Sequence, residues 1–187
     1  VISFISAINV GWKSQLYMDI TGRNDWSSAL VYSSGAGNYS YFYPSVSGSW
    51  IVSETFKEQL PLWVSFGKFR LSWAQVGNDA KAFVINPGYT QNKHLQSDGN
   101  YLYTNIVPSV LYGQDGLLKP ERKNAWELGV DWHLLNGRVA IDITWYKENT
   151  KNQIMAITLP KESGITSQII NAGNIQNKGI EIAINTK

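Results

Sequence analysis

The chain has 187 residues, a formal net charge of +2 and only 16% charged residues, with no dense run of Lys or Arg, which argues against nucleic acid as a partner. Its 43% hydrophobic content, with 8 Trp and 10 Tyr, argues against disorder, and the absence of cysteine excludes a disulfide framework or a thiolate metal site. No run approaches the ~18 to 20 consecutive apolar residues of a membrane-spanning helix, because polar residues interrupt the apolar ones at almost every second position.

That two-residue alternation is the dominant signal, and it predicts strands with one apolar and one polar face. The chain opens on VISFISAINVGW, already a strand, with no basic n-region or cleavage site before it, so it is expected to start inside a longer protein. In this first strand Ile2, Phe4, Ile8, Val10 and Trp12 share a face opposite Ser3, Ala7 and Asn9. A tight turn at Lys13 and Ser14 leads to a second strand with Leu16, Met18 and Ile20 facing away from Gln15, Tyr17, Asp19, Thr21, Arg23 and Asp25. The third strand, within residues 41–53, sets Phe42, Val46, Trp50 and Val52 against Tyr43 and a row of serines, with Pro44 weakening its start. The fourth, within 66–77, sets Phe69, Leu71 and Trp73 against Lys68, Arg70 and Ser72.

After a long gap Trp126, Leu128, Val130, Trp132 and Leu134 alternate with Glu127, Gly129, Asp131 and His133. The Leu135, Asn136, Gly137 connection is a hairpin signal. The next strand alternates Val139, Ile141, Ile143 and Trp145 with Asp142 and Thr144, and is expected to run on through Lys151 to Leu159. A seventh strand carries Ile180, Ile182 and Ile184 opposite Glu181 and Asn185.

Connections near 13–14, 54–63 and 135–137 fall at one end of such a sheet, and the long ones at 26–41 and 77–120 fall at the other. Outer-membrane barrels show this asymmetry of brief periplasmic turns and extended external loops. Strands of ~9 to 11 alternating residues suit a tilted membrane crossing. Two aromatic girdles are expected, with Trp12, Trp50 and Trp132 toward the short turns and Trp26, Trp126 and Trp145 toward the long loops. Asp19, Arg23, Arg70, Glu127, Asp131 and Asp142 are then expected to face a wet lumen. The fold class expected is all-β, an antiparallel transmembrane β-barrel segment. Alternation alone leaves open a soluble, secreted carbohydrate-binding β-sandwich, whose apolar face would meet a second sheet.

No catalytic constellation or metal site is visible, and no enzyme activity or cofactor is expected. His94 and His133 read as solvated histidines. Asp131 and Asp142 can approach across a hairpin near Arg70, which reads as a structural network of the polar wall. The glycines at 35 and 37 lead into no helix, and Asp98–Gly99 and Asp115–Gly116 read as turns rather than calcium loops. The NYS sequence at 38–40 matches a glycosylation acceptor by accident of composition. Tyr39, Tyr41, Tyr43, Tyr89, Tyr101, Tyr103 and Tyr112 crowd the long loops, and their rings suit stacking on a sugar or packing against a lid protein. Of these, Tyr39, Tyr41, Tyr101, Tyr103 and Tyr112 are the contact candidates; internal stabilisation of the loops is the competing reading.

Five blocks in order, DITGRNDWSS at 19–28, FYPSVSGSWIVSETF at 42–56, FGKFRLSWAQVGND at 66–79, LKPERKNAWELGVDWHLLNGRVAIDITWYKENTKNQI at 118–154 and NAGNIQNKGIEI at 171–182, resemble the SusC/RagA family of TonB-linked outer-membrane proteins. The resemblance implies a barrel of about 22 strands closed around an N-terminal plug. It also implies a bacterial outer-membrane location, a SusD-like surface lipoprotein as lid, and import of oligosaccharides or peptides driven through TonB. Residues 1–187 would be part of one such barrel domain, with no plug, TonB-contacting segment or terminal strand ending in an aromatic residue among them. The remaining strands, the plug and membrane lipid would be their partners.

Overall fold

The computed structural model describes all residues of the chain except 33, 34, 36, 38, 79–89, 107–109, 113–117, 161 and 163. Seven long strands form one antiparallel sheet: β1 (Ile2–Trp12), β2 (Leu16–Trp26), β3 (Ser40–Ile51), β4 (Val64–Asn78), β8 (Glu121–Leu134), β9 (Val139–Lys151) and β12 (Asn174–Thr186). Their spatial order is β1-β2-β3-β4-β8-β9-β12, so each strand lies beside its predecessor in this set. They run 11 to 15 residues, longer than the ~5 to 6 typical of soluble proteins.

Two-residue periodicity and the register together carry two rows of the apolar face across the whole sheet. Trp12, Leu16, Trp50, Phe69, Val130, Ile143 and Ile182 are successive cross-strand partners, and so are Val10, Met18, Gly48, Leu71, Leu128, Trp145 and Ile180. No second layer covers these rows among the described residues. Ile8 is 60% exposed, Leu71 51% and Ile182 63%, whereas the buried hydrophobics are Leu30, Tyr41, Val52 and Leu118, at or beyond the strand ends. A β-sandwich would bury its apolar rows between sheets. This sheet instead turns an apolar wall outward.

The short connections cluster at one end. Lys13 and Ser14 turn the chain with φ of 50° and 56°, and Gln15 N–H donates to Trp12 O at 3.0 Å. Leu135 and Asn136 do the same between β8 and β9, with Gly137 N–H donating to Leu134 O at 3.1 Å. Between β3 and β4 lies one helical turn, α1 (Val52–Thr55), followed by Pro61.

The long connections lie at the opposite end and carry structure that alternation did not reveal. A hairpin, β5 (Thr90–Leu95) with β6 (Tyr101–Ile106), forms its own ribbon. A second small sheet joins β10 (Ile154–Thr158), β11 (Ser167–Asn171) and β7 (Val110–Tyr112). The expected continuation of the sixth long strand to Leu159 is corrected here. β9 stops at Lys151, Asn152 takes a left-handed φ of 57°, and residues 154–158 pair with β11 instead.

Candidate functional site

Two surfaces carry the polar chemistry: the polar face of the large sheet and the loop cluster at its long-loop end. On the polar face, side chains that the sequence scatters over more than a hundred residues become neighbours through register. Asp131 lies opposite both Lys68 and Asp142, and Arg70 lies opposite Gly129. Two carboxylates in direct cross-strand opposition repel one another, and each has its own partner. Arg70 Nη2 donates to Asp142 Oδ2 at 2.7 Å and to Thr144 Oγ1 at 3.4 Å, while His133 Nε2 stands 3.2 Å from Asp131 Oδ1.

Arg70 reaches Asp142 by crossing β8, the strand between β4 and β9, and Gly129 makes that crossing possible. A Cβ at Gly129 would come within 2.8 Å of Arg70 Nε, so only glycine lets the guanidinium lie flat across the strand. On β12, Gly179 similarly sits under the ring of Tyr146.

Further along this face Asp19 accepts hydrogen bonds from Asn9 Nδ2 and from Ser47 Oγ, and Thr21 Oγ1 lies 2.5 Å from Ser45 Oγ. Arg23 Nε donates to Asp25 Oδ1 at 2.6 Å, and Lys123 Nζ pairs with Glu148 at 2.7 Å. Asp19, Ser47, Lys68, Arg70, Ser72 and Glu127 border a shallow cleft of about 220 Å³. Both signs of charge and several hydroxyls meet there, a surface suited to a polar solute without strong net charge. A larger hollow of about 420 Å³ lies by Gly48 on the opposite face, among Val10, Leu16, Met18, Trp50 and Leu71. Its apolar walls offer little to a polar ligand.

The partition between faces is sharp. Every carboxylate of the seven strands (Asp19, Asp25, Glu121, Glu127, Asp131, Asp142, Glu148 and Glu181) has polar-face parity, and none has apolar-face parity. Trp12, Trp50 and Trp132 lie on the apolar face toward the short turns, and Trp26 and Trp126 on the same face toward the long loops. Trp145 sits at mid-strand, one position below Lys147 on that face, where the apolar band of β9 ends.

The loop cluster has a small core of its own. Leu30, Tyr41 and Leu118 are buried together, with Tyr32, Tyr43, Ile154 and Ile169 against them, so three long connections contribute to one core. Asn171 ties two of them: it accepts from Lys119 N–H at 2.7 Å and donates to Lys119 O and Asn152 O at 2.7 and 2.8 Å. Glu121 accepts from Ile154 N–H at 2.8 Å. Neither latch was visible in the sequence, because each joins residues whose neighbourhood is set only by the long-range ladder.

Of the tyrosines, Tyr41 is 4% exposed inside this core, and Tyr39 is 62% exposed. Tyr101 and Tyr103 are exposed on the β5–β6 hairpin, where Lys93 Nζ lies 3.6 Å from the Tyr101 ring centroid. Tyr112 belongs to β7, but its side chain falls outside the described residues, as do Tyr89, Asn38, Asp115 and Gly116 entirely. The turn at Asp98 is fixed by Asn100, whose N–H and Nδ2 both donate to the carboxylate at 2.9 Å, and these bonds, the backbone one foremost, hold its pKa below the ordinary value. Among the described residues no group of His, Asp and Glu could hold a metal ion.

An antiparallel sheet with an exposed apolar face, a polar opposite face and alternately short and long connections defines a segment of transmembrane β-barrel. The profile of the TonB dependent receptor-like β-barrel family matches residues 7–187, and the chain belongs to that family. It is 29% identical over its full length to TonB-dependent receptor P26 of Formosa agariphila and 27% identical to TonB-dependent receptor SusC of Bacteroides thetaiotaomicron. It spans 18% of the length of each of these relatives. The fold matches 19% of a chain in the RagAB peptide importer in its closed-closed state, with a TM-score of 0.76 over 97% of this chain at 22% identity. The siderophore receptor PirA of Pseudomonas aeruginosa also matches, with a TM-score of 0.62 over 96% of this chain and 30% of that one, at 16% identity.

Proposed function

We propose that these strands form part of the wall of a bacterial outer-membrane transporter that imports oligosaccharides or peptides with a SusD-like lipoprotein as its lid. The observation that carries this reading is the two-faced sheet, with every strand carboxylate on one face and an apolar band on the other. The polar face lines the lumen, and the cleft bordered by Asp19, Arg70 and Glu127 contributes to the substrate path. At the outer end Tyr39, Tyr101 and Tyr103 offer rings to the substrate or lid, and Tyr41 braces the loops from within. The wall is a rigid scaffold; movement of a plug coupled to TonB supplies the work. The name of one structural neighbour, the RagAB peptide importer, supports peptides as a substrate class. No apposed sheet covers the apolar rows, so the soluble sandwich has no support among the described residues.

Deleting the gene for the full-length receptor from its host and measuring growth on single oligosaccharides and on peptides tests this. The expected result is loss of growth on one of these classes, restored by the intact gene but not in a host that also lacks the gene for the lid lipoprotein. Unchanged uptake of every oligosaccharide and peptide would overturn it.

A further inference from the structure

The apolar face has a feature that a lipid-facing wall alone does not call for. All the cations on it lie on three adjacent strands at the long-loop boundary: Arg122 on β8, Lys147 and Lys151 on β9, and Lys178 on β12. They oppose one another directly, since Arg122 is the cross-strand partner of Lys151, and Lys147 that of Lys178. Like charges placed directly opposite one another destabilise a sheet. All four are exposed, and none forms an ion pair with a carboxylate among the described residues. The nearest acids of these strands, Glu121 and Glu148, have the opposite parity, and Glu148 already holds Lys123. Between the two cation pairs lie only Asn124, Asn149 and Gln176 on this face. Trp126 lies level with the Lys147–Lys178 pair, and immediately below it the face becomes apolar at Leu128, Trp145 and Ile180.

We propose that Arg122, Lys147, Lys151 and Lys178 form a binding site for the phosphate-bearing headgroup of a lipid in the outer leaflet, whose acyl chains descend along the strip of Leu128, Trp145 and Ile180. Two repelling cation pairs with no carboxylate partner among the described residues call for anions to neutralise them. A polyanionic headgroup at the membrane boundary supplies them, and the apolar strip beneath takes the tails. Lys and Arg at a bilayer surface attract anionic lipid with an energy that salt screens. The site rests on the reading that the apolar face meets hydrocarbon with the long loops outside.

The test uses the full-length receptor purified in detergent and exposed to lipid A, to dephosphorylated lipid A, to phosphatidylcholine or to inorganic phosphate, with retained lipid read by native mass spectrometry. Retention of lipid A is expected, with at least tenfold less of its dephosphorylated form and of phosphatidylcholine, and no competition from millimolar inorganic phosphate. The quadruple variant Arg122→Gln, Lys147→Gln, Lys151→Gln, Lys178→Gln should lose that preference, and Lys147→Arg with Lys178→Arg should keep it. If the quadruple variant does not fold, loss of wild-type lipid A retention on raising salt from 0.05 to 0.5 M is the expected sign. Equal retention of phosphorylated and dephosphorylated lipid, or retention indifferent to both charge and salt, would overturn the site. A receptor that stays monodisperse without detergent would overturn the membrane reading itself, a separate outcome.

Discussion

Arg70 shows how one side chain on this wall depends on a residue 72 positions away in the sequence. Its ion pair with Asp142 is over a third exposed on both sides, so it is worth at most ~1 kcal/mol as an isolated contact. Removing it leaves Asp142 facing Asp131 with no counter-charge of its own. Arg70→Met in the full-length receptor should therefore cost about 1 kcal/mol in urea unfolding from lipid vesicles, and adding Asp142→Asn should recover most of that loss; additive losses in the double variant would contradict it. Gly129→Ala should act through the same pair, because the new Cβ meets the guanidinium. The alternating Arg70 and Gly129 were legible in the sequence as polar-face residues; their contact was not, because it depends on the β4–β8 register and on the loop of unequal length that sets it. Ser14 is a different kind of residue-scale feature. A non-glycine residue at φ 56° costs roughly 1 kcal/mol, so Ser14→Gly should stabilise the receptor by about that amount in the same assay.

At the scale of elements, the strands of the large sheet were readable because each has one face in a single medium, which enforces strict alternation. The loop strands β5, β6, β7, β10 and β11 were not. They are short, and the core they help to build takes one or two residues from each connection, Leu30, Leu118, Ile154 and Ile169, so no segment shows a period of its own. The polar stretch from Tyr146 to Gln153 has no alternation to mark a strand end, and the left-handed Asn152 breaks the strand there. Asn171 links the loops by three hydrogen bonds, each worth ~1 kcal/mol. Asn171→Ala should raise amide hydrogen exchange at Lys119 and across β10 and β11 while leaving β8 and β9 protected; unchanged exchange at Lys119 would refute the latch. The Asp98 turn gives a pH signature. Because the folded carboxyl has a lowered pKa, its contribution is complete above the ordinary Asp range and disappears as pH falls through the folded value. Protection of the Asn100 amide should hold from pH 7 to about pH 4 and weaken only below it. A loss of protection already at pH 5 to 6 would show that Asp98 is not its anchor.

Across the whole sheet the apolar band does not follow the rows of cross-strand partners. On β1 it centres near Ala7, which the register carries through Thr21, Ser45, Ala74, Ala125 and Glu148 to Asn177. On β12 it centres on Ile182, so it slides about five residues toward the short turns over six strand spacings. With ~3.4 Å per residue and ~4.8 Å between strands, the strands lean roughly 30° from the normal of that band. Outer-membrane barrels tilt by ~35 to 45°. A flat membrane crossing a tilted wall produces such a slide; a protein core has no reason to. These 187 residues contain no cysteine, so a nitroxide label placed on one of these strands meets no competing thiol among them. The decisive measurement labels the full-length receptor in lipid nanodiscs at Leu71, Leu128 and Ile182, and at Ser72, Glu127 and Glu181, and compares collisions with oxygen, which concentrates in hydrocarbon, against a water-soluble nickel chelate. High oxygen and low nickel access are expected at the first three positions and lower oxygen access at the second three; equal access on the two faces, or nickel access at Leu71, Leu128 and Ile182, would show that the apolar face does not meet hydrocarbon.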